Sequence, residues 1–231
     1  MKLKQNRNTP RRPRVVATVH SLRGLREAGQ LRRGEVDFLE VRLDLLAGAV
    51  TALRTALPTW RVPVLLTARH PAEGGAKKIT ASRRRDLLLE FLPQAAAVDI
   101  ELRSVGTLAP VLRQAQTLGL QRLVSFHDFG GTPSLARLRK VAAAARRAGA
   151  DLVKIATQLR NPHDLAVLLE LQASLPDVAL ATMGMGPLGR VSRLALAAAG
   201  SQLNYGYLDR PQVPGQWPAL ELKRRIAEVL P

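Results

Sequence analysis

One lysine, Lys154, stands inside the apolar run DLVKIAT, residues 151–157. Lysine is almost never fully buried unless something holds it there. A strand lysine between Val153 and Ile155 therefore asks for a partner or a chemistry. A desolvated amine that attacks a carbonyl is such a chemistry, and it is the basis of Schiff-base catalysis. His127, in the preceding strand-like run, is of the type that shuttles protons near neutral pH. Glu40 and Arg42 are two residues apart, as are Thr67 and Arg69, and Ser125 and His127. Period-two spacing puts each pair on one face of a strand. Arginine can fork onto a carboxylate, and Glu73 or Glu40 can orient the histidine or hold substrate hydroxyls. Each residue alone has a plainer reading. The lysine can snorkel, the histidine can be structural, Glu40, Arg42 and Asp44 can form an ion-pair ladder, and Met183 and Met185 can fill the core. Their combination is what points to a lysine-imine enzyme.

These residues need elements that bring them together. Short apolar runs alternate with helical patterns, which predicts strands at 15–19, 37–41, 64–67, 97–101, 122–126, 151–155, 178–182 and 202–206. Helices are predicted at 82–92, 134–148, 162–175, 191–199 and 218–230. Ser134 can cap the second of these, and Asn161-Pro162 reads as an N-cap with proline at the first position of the third. Eight strands, each followed by a helix-compatible segment, predict an α/β fold: a single-domain (β/α)8 TIM barrel with its site at the C-terminal strand ends. Those ends supply Thr18, Glu40 and Arg42, Arg69, Asp99 and Glu101, His127, and Lys154 in turn. Met183-Gly184-Met185 follow the seventh strand, Arg193 opens the next helix, Tyr205 ends the eighth strand, and Gln212 and Gln216 lie in its loop. A doubly wound sheet is the alternative, but residues 20–29 lack the GxGxxG turn it would need.

The chain has 231 residues and no cysteine, so a disulfide scaffold and a cysteine zinc site are excluded. No apolar run is long enough for a transmembrane helix, and a cytoplasmic protein is expected. The net charge of +17 suggests anionic partners. Residues 1–13 read as a basic flexible tail and 14–231 as the catalytic domain. The tail leaves room for nonspecific contact with polyanions.

The residues also spell out a family. FLEVRLDLL (38–46), LLTARHPAEGG (65–75), VDIELR (98–103), VSFHDFGGTPS (124–134), DLVKIAT (151–157), MGMGPLGRVSRL (183–194) and VPGQ (213–216) occur in this order. Together they resemble type I 3-dehydroquinate dehydratase, the Schiff-base enzyme of the shikimate pathway. The resemblance implies a barrel that removes water from 3-dehydroquinate without metal or organic cofactor, and a homodimer. It implies that Lys154 forms the imine, His127 moves protons and Glu73 works with the histidine. Arg193 would bind the substrate carboxylate. Glu40, Arg42 and Arg69 would bind hydroxyls or order the pocket, and Thr18 would offer a hydroxyl. Met183, Met185 and Tyr205 would form an apolar wall, and Gln216 would belong to a lid. Gln212 and Val213 stand where many members carry serine and alanine, so altered affinity is expected. The glycines of 183–189 are expected to loosen their turn.

Two other readings remain open at this level. A nucleic-acid-binding barrel would explain the charge and predicts salt-dependent binding. A sugar-phosphate aldolase or transaldolase would need a phosphate site, for which Gly184, Gly186, Gly189 and Arg193 are the available residues.

Overall fold

In the computed structural model, residues 12–230 are described. The basic segment expected at 1–13 lies, through residue 11, outside them. The strands are β1 (Arg14–Val19), β2 (Phe38–Arg42), β3 (Val64–Thr67), β4 (Ala97–Glu101), β5 (Gln121–Asp128), β6 (Leu152–Gln158), β7 (Leu180–Met185) and β8 (Leu203–Tyr207). The intervening helices are α1 (Leu22–Gln30), α2 (Val50–Ala56), α3 (Ala81–Phe91), α4 (Ala109–Thr117), α5 (Leu135–Arg147), α6 (Pro162–Ser174), α7 (Gly189–Ala198) and α8 (Ala219–Val229). The strands run parallel in the order β7-β6-β5-β4-β3-β2-β1-β8, a nearly closed (β/α)8 barrel.

Local chemistry explains the element boundaries. Ser134 accepts from Arg137 N at the start of α5, and Asn161 forms a reciprocal capping box with Asp164 at the start of α6. Strands β5 and β7 run further than their apolar runs. His127 and Asp128 belong to β5, and Met183-Gly184-Met185 lie within β7 rather than after it. The ladder to β6 continues through Asp128 and Met185, so backbone pairing extends each strand past the point where its sequence turns polar or glycine-rich.

Alternation sorts each strand into two faces. Val16, Leu65, Ala97, Leu123, Leu152, Ala181 and Leu203 cluster as an apolar plug in the lower barrel. The next residues on the same face, two further along, include Thr18, Thr67, Asp99, Ser125 and Lys154. The barrel is thus apolar at its base and ionic toward its C-terminal mouth. The seam between β7 and β8 is stitched at the base. Gln202 N donates to Leu180 O (2.8 Å), and Ser201 Oγ bonds both Thr182 N (3.0 Å) and Thr182 O (3.2 Å). Among the described residues no helix is long and apolar enough to cross a membrane.

Candidate active site

A cavity of about 530 Å³ opens at the C-terminal strand ends, within the range of small-molecule sites. All the residues that the sequence assigned to catalysis or substrate binding line it, Gln212 and Gln216 of the β8 loop included. A larger groove at the opposite end, beside Arg12, Gln172 and Lys223, carries none of them.

Lys154 is buried and held on three sides. Its Nζ lies 3.0 Å from Asp99 Oδ2, 3.6 Å from Glu40 Oε1 and 4.0 Å from the centre of the Tyr205 ring. Tyr205, expected as apolar wall, therefore also offers the face of its ring to the ammonium. Glu40 is fixed in turn by Thr18 Oγ1 (3.0 Å) and Thr67 Oγ1 (2.9 Å). Arg69 forks onto Asp99 and reaches Glu101 (3.2 Å) and Ser125 Oγ (2.6 Å). Burial alone would raise the Asp99 carboxyl, but Arg69 and Lys154 outweigh it and hold it well below the usual range.

His127 stands two residues closer to the mouth than Ser125, which is in register with Lys154. Glu73 Oε2 accepts from His127 N (3.0 Å) and lies 2.9 Å from His127 Nδ1. Burial, then Arg69 and Lys154, push the imidazole well below the usual histidine range, which favours the uncharged ring. An ionised Glu73 accepts a hydrogen bond from Nδ1–H, which fixes that tautomer and leaves Nε2 as the basic nitrogen. The Glu73 carboxyl itself is pushed up to about 7, chiefly by burial, with Arg69 opposing.

Arg42 orders the loop that carries Glu73. It forks onto Asp44 (2.9 Å twice), donates to Gly74 O (2.9 Å) and reaches Gln212 Oε1 (2.9 Å). Gln216 Oε1 accepts from Gln212 N, which ties the β8 loop to itself over the cavity.

Arg193 differs from Arg42 and Arg69 in having no carboxylate partner among the described residues. Its Nε donates to Tyr205 O (2.9 Å). Its Nη1 is shared among Gly184 O, Gly189 O and Gly215 O at 2.8–3.0 Å. Those bonds fill the upper seam between β7 and β8, and Nη2 has no hydrogen-bond partner among the described residues. Burial without an anion pushes this guanidinium down to about 10. It sits at the fifth position of α7, one turn inside the helix rather than at its start.

The expected loosening by glycine is not what these residues do. A Cβ on Gly184 would come within 2.2 Å of Leu159 Cδ1, and one on Gly215 within 2.4 Å of Gly186 O, so these glycines permit close packing. The β8 loop covers the same glycines, and Gly186 N donates to Pro214 O (3.2 Å). In this arrangement the glycines are packed under the β8 loop and form no open phosphate cradle.

Sequence reasoning placed Asp99 and Glu101 at a strand end without giving them a role, and it counted Arg84 only as part of the basic surface run 83–85. Arg84, buried on α3, donates to Ala68 O (2.6 Å) and pairs with Glu101. The signal was present: Arg84 shares helical spacing with Leu87, Leu88 and Phe91, all buried.

The profile of the type I 3-dehydroquinase family matches residues 15–227. The chain belongs to the type I 3-dehydroquinase family. It is 36% identical to the 3-dehydroquinate dehydratase of Methanothrix thermoacetophila over 85% of this chain and 84% of that one. The 3-dehydroquinate dehydratase of Geobacillus kaustophilus superposes with a TM-score of 0.85 at 28% identity, covering 94% of this chain and 91% of that one. The type I enzyme of Clostridium difficile, solved with covalent modified comenic acid, gives 0.83 at 25% identity, with 94% and 92% covered. The family's reaction is the dehydration of 3-dehydroquinate, and the barrel described above is the family's fold.

Proposed function

We propose that this site dehydrates 3-dehydroquinate to 3-dehydroshikimate through an imine on Lys154, with His127 as acid and base. The observation that carries the reading is one shared cavity. A buried amine, an imidazole backed by a carboxylate, and a buried arginine without an anion all face it. A covalent ligand, as in the Clostridium difficile relative, is what a nucleophilic lysine would give.

The substrate carboxylate supplies the anion that Arg193 lacks, through Nη2. Lys154 attacks the ketone as the free amine. Of the three protons of its ammonium, two leave on the ketone oxygen as water and one stays on the resulting iminium nitrogen. The iminium draws electrons from the neighbouring C–H bond, and His127 Nε2 removes that proton to give an enamine. The enamine pushes out the hydroxyl on the next carbon, which takes a proton from His127 and leaves as water. Hydrolysis of the iminium consumes one water and frees the product. One water is lost overall, and Lys154 and His127 return to their starting states. The covering β8 loop limits water at the imine. Thr18, Glu40 and Gln216 border the cavity where substrate hydroxyls would lie.

Turnover tests the reading directly. The conjugated product absorbs in the ultraviolet and the substrate does not. The wild-type chain is expected to generate that absorbance and Lys154→Ala to generate none. Full turnover by Lys154→Ala would overturn the imine assignment. A homodimer is proposed with it, read by sedimentation, and so are a cytoplasmic location, read by fractionation, and polyanion contact through residues 1–13, read by salt-dependent retention on heparin.

A further inference from the structure

Arg103 leaves the end of β4 in the short turn Leu102–Ser104 and reaches back toward the site. It does not line the cavity. Its Nε lies 3.2 Å from Glu73 Oε1, and the other oxygen of that carboxylate faces both His127 N and His127 Nδ1. The Arg103 side chain is 51% exposed and that of Glu73 only 4%. An exposed arginine is ordinarily a solvated charge, and its ion pair adds little stability. Here the partner is buried and orients a catalytic imidazole, so the pair can matter to function without mattering to the fold.

We propose that Arg103 is a positioning residue for proton transfer: by fixing Glu73 Oε1 it keeps Oε2 against His127 Nδ1 and leaves His127 Nε2 as the working nitrogen. The inference rests on the reading of Glu73 and His127 as the proton-transfer pair.

The groups facing Glu73 set the sign of the test. Burial leads in pushing its carboxyl up to about 7, and Glu101 at the end of β4 adds to this. Arg69 beyond β3, the His127 N–H on β5 and Arg103 work the other way. Loss of Arg103 removes one of two cations, so the carboxyl titrates at higher pH. A protonated Glu73 donates to Nδ1 instead of accepting from it. That moves the imidazole proton to Nε2 and disables the base.

The experiment compares Arg103→Met and Arg103→Lys with wild type in two readouts. One is the pH profile of kcat on 3-dehydroquinate. The other is the titration of the His127 ring nitrogens by NMR, tractable with four histidines in the chain. Arg103→Met is expected to move the acid limb upward by roughly half a pH unit, about a threefold loss of kcat on that limb. The loss should vanish well above the limb, KM and Tm should stay put, and Arg103→Lys should recover most of the shift. The His127 signal should move with the same midpoint as kcat. An unmoved acid limb together with an unmoved His127 titration would overturn the role of Arg103. Absence of any wild-type turnover would instead sink the dehydratase reading, and the His127 titration would still decide the Arg103 contact.

Discussion

Asp99 Oδ2 lies 3.0 Å from Lys154 Nζ, and the same oxygen lies 2.7 Å from Arg69 Nη2. One carboxylate thus holds two buried cations apart and in place. Its removal leaves Lys154 facing Glu40 alone, and Arg69 facing Glu40 and Glu101. Breaking a buried pair from one side costs about 3 to 5 kcal/mol. Asp99→Asn is expected to lose stability of that order in urea unfolding and to lower kcat. The Asp99 carboxyl is held below its unfolded value, so its stabilisation is complete above the usual carboxylate range and fades only as pH falls through and below it. The difference from wild type should therefore be constant from about pH 5 to about pH 8. A difference that disappears at neutral pH would contradict the assignment.

Glu73 has the opposite sign. Its carboxyl is raised from 4.5 to about 7, so its contribution to stability is greatest below the unfolded value and is lost as pH rises through about 7. The shift corresponds to at most ~3 kcal/mol. Glu73→Gln should gain stability relative to wild type by up to that amount between about pH 5 and about pH 8, while losing activity. Urea midpoints at the two pH values check it. A wild-type difference that does not grow with pH would place the Glu73 titration elsewhere.

His127 is the base in this account but not the nucleophile. His127→Ala is expected to slow turnover by roughly a thousandfold while the imine still forms. Rapid quench with borohydride reads imine and product separately. An unimpaired rate would require another proton carrier.

Arg193 combines two tasks. Its bonds to Gly184, Tyr205 and Gly215 carbonyls join β7, β8 and the covering loop, and the proposed mechanism gives its Nη2 to the substrate carboxylate. Arg193→Ala exposes a buried seam as well as removing a cation, and about 1 kcal/mol per lost carbonyl bond is expected. Arg193→Lys keeps the charge and is the cleaner variant. It should raise KM strongly with a smaller change in kcat. An unchanged KM would argue against the carboxylate clamp.

Much of this site was legible because strands alternate. Glu40 with Arg42, and Ser125 with His127, fall on one face whatever the exact strand limits, and β-strand register then brings Ser125 beside Lys154. The ends of β5 and β7 were not legible, since pairing to β6 rather than side-chain character extends them. Arg84 was hidden inside the run Arg83-Arg84-Arg85, which reads as a solvated face although its central member is buried. Arg103 was hidden for the opposite reason. It is half exposed, and only the fold brings it to Glu73, thirty residues earlier in the chain.

The central claim is that Lys154 bonds covalently to the substrate. Incubation with 3-dehydroquinate, reduction with borohydride, intact mass and a peptide map test it most directly. A single adduct on the peptide that carries Lys154, absent from Lys154→Ala, is the predicted result. A folded, active protein that yields no adduct, or one placed on another lysine, would contradict it.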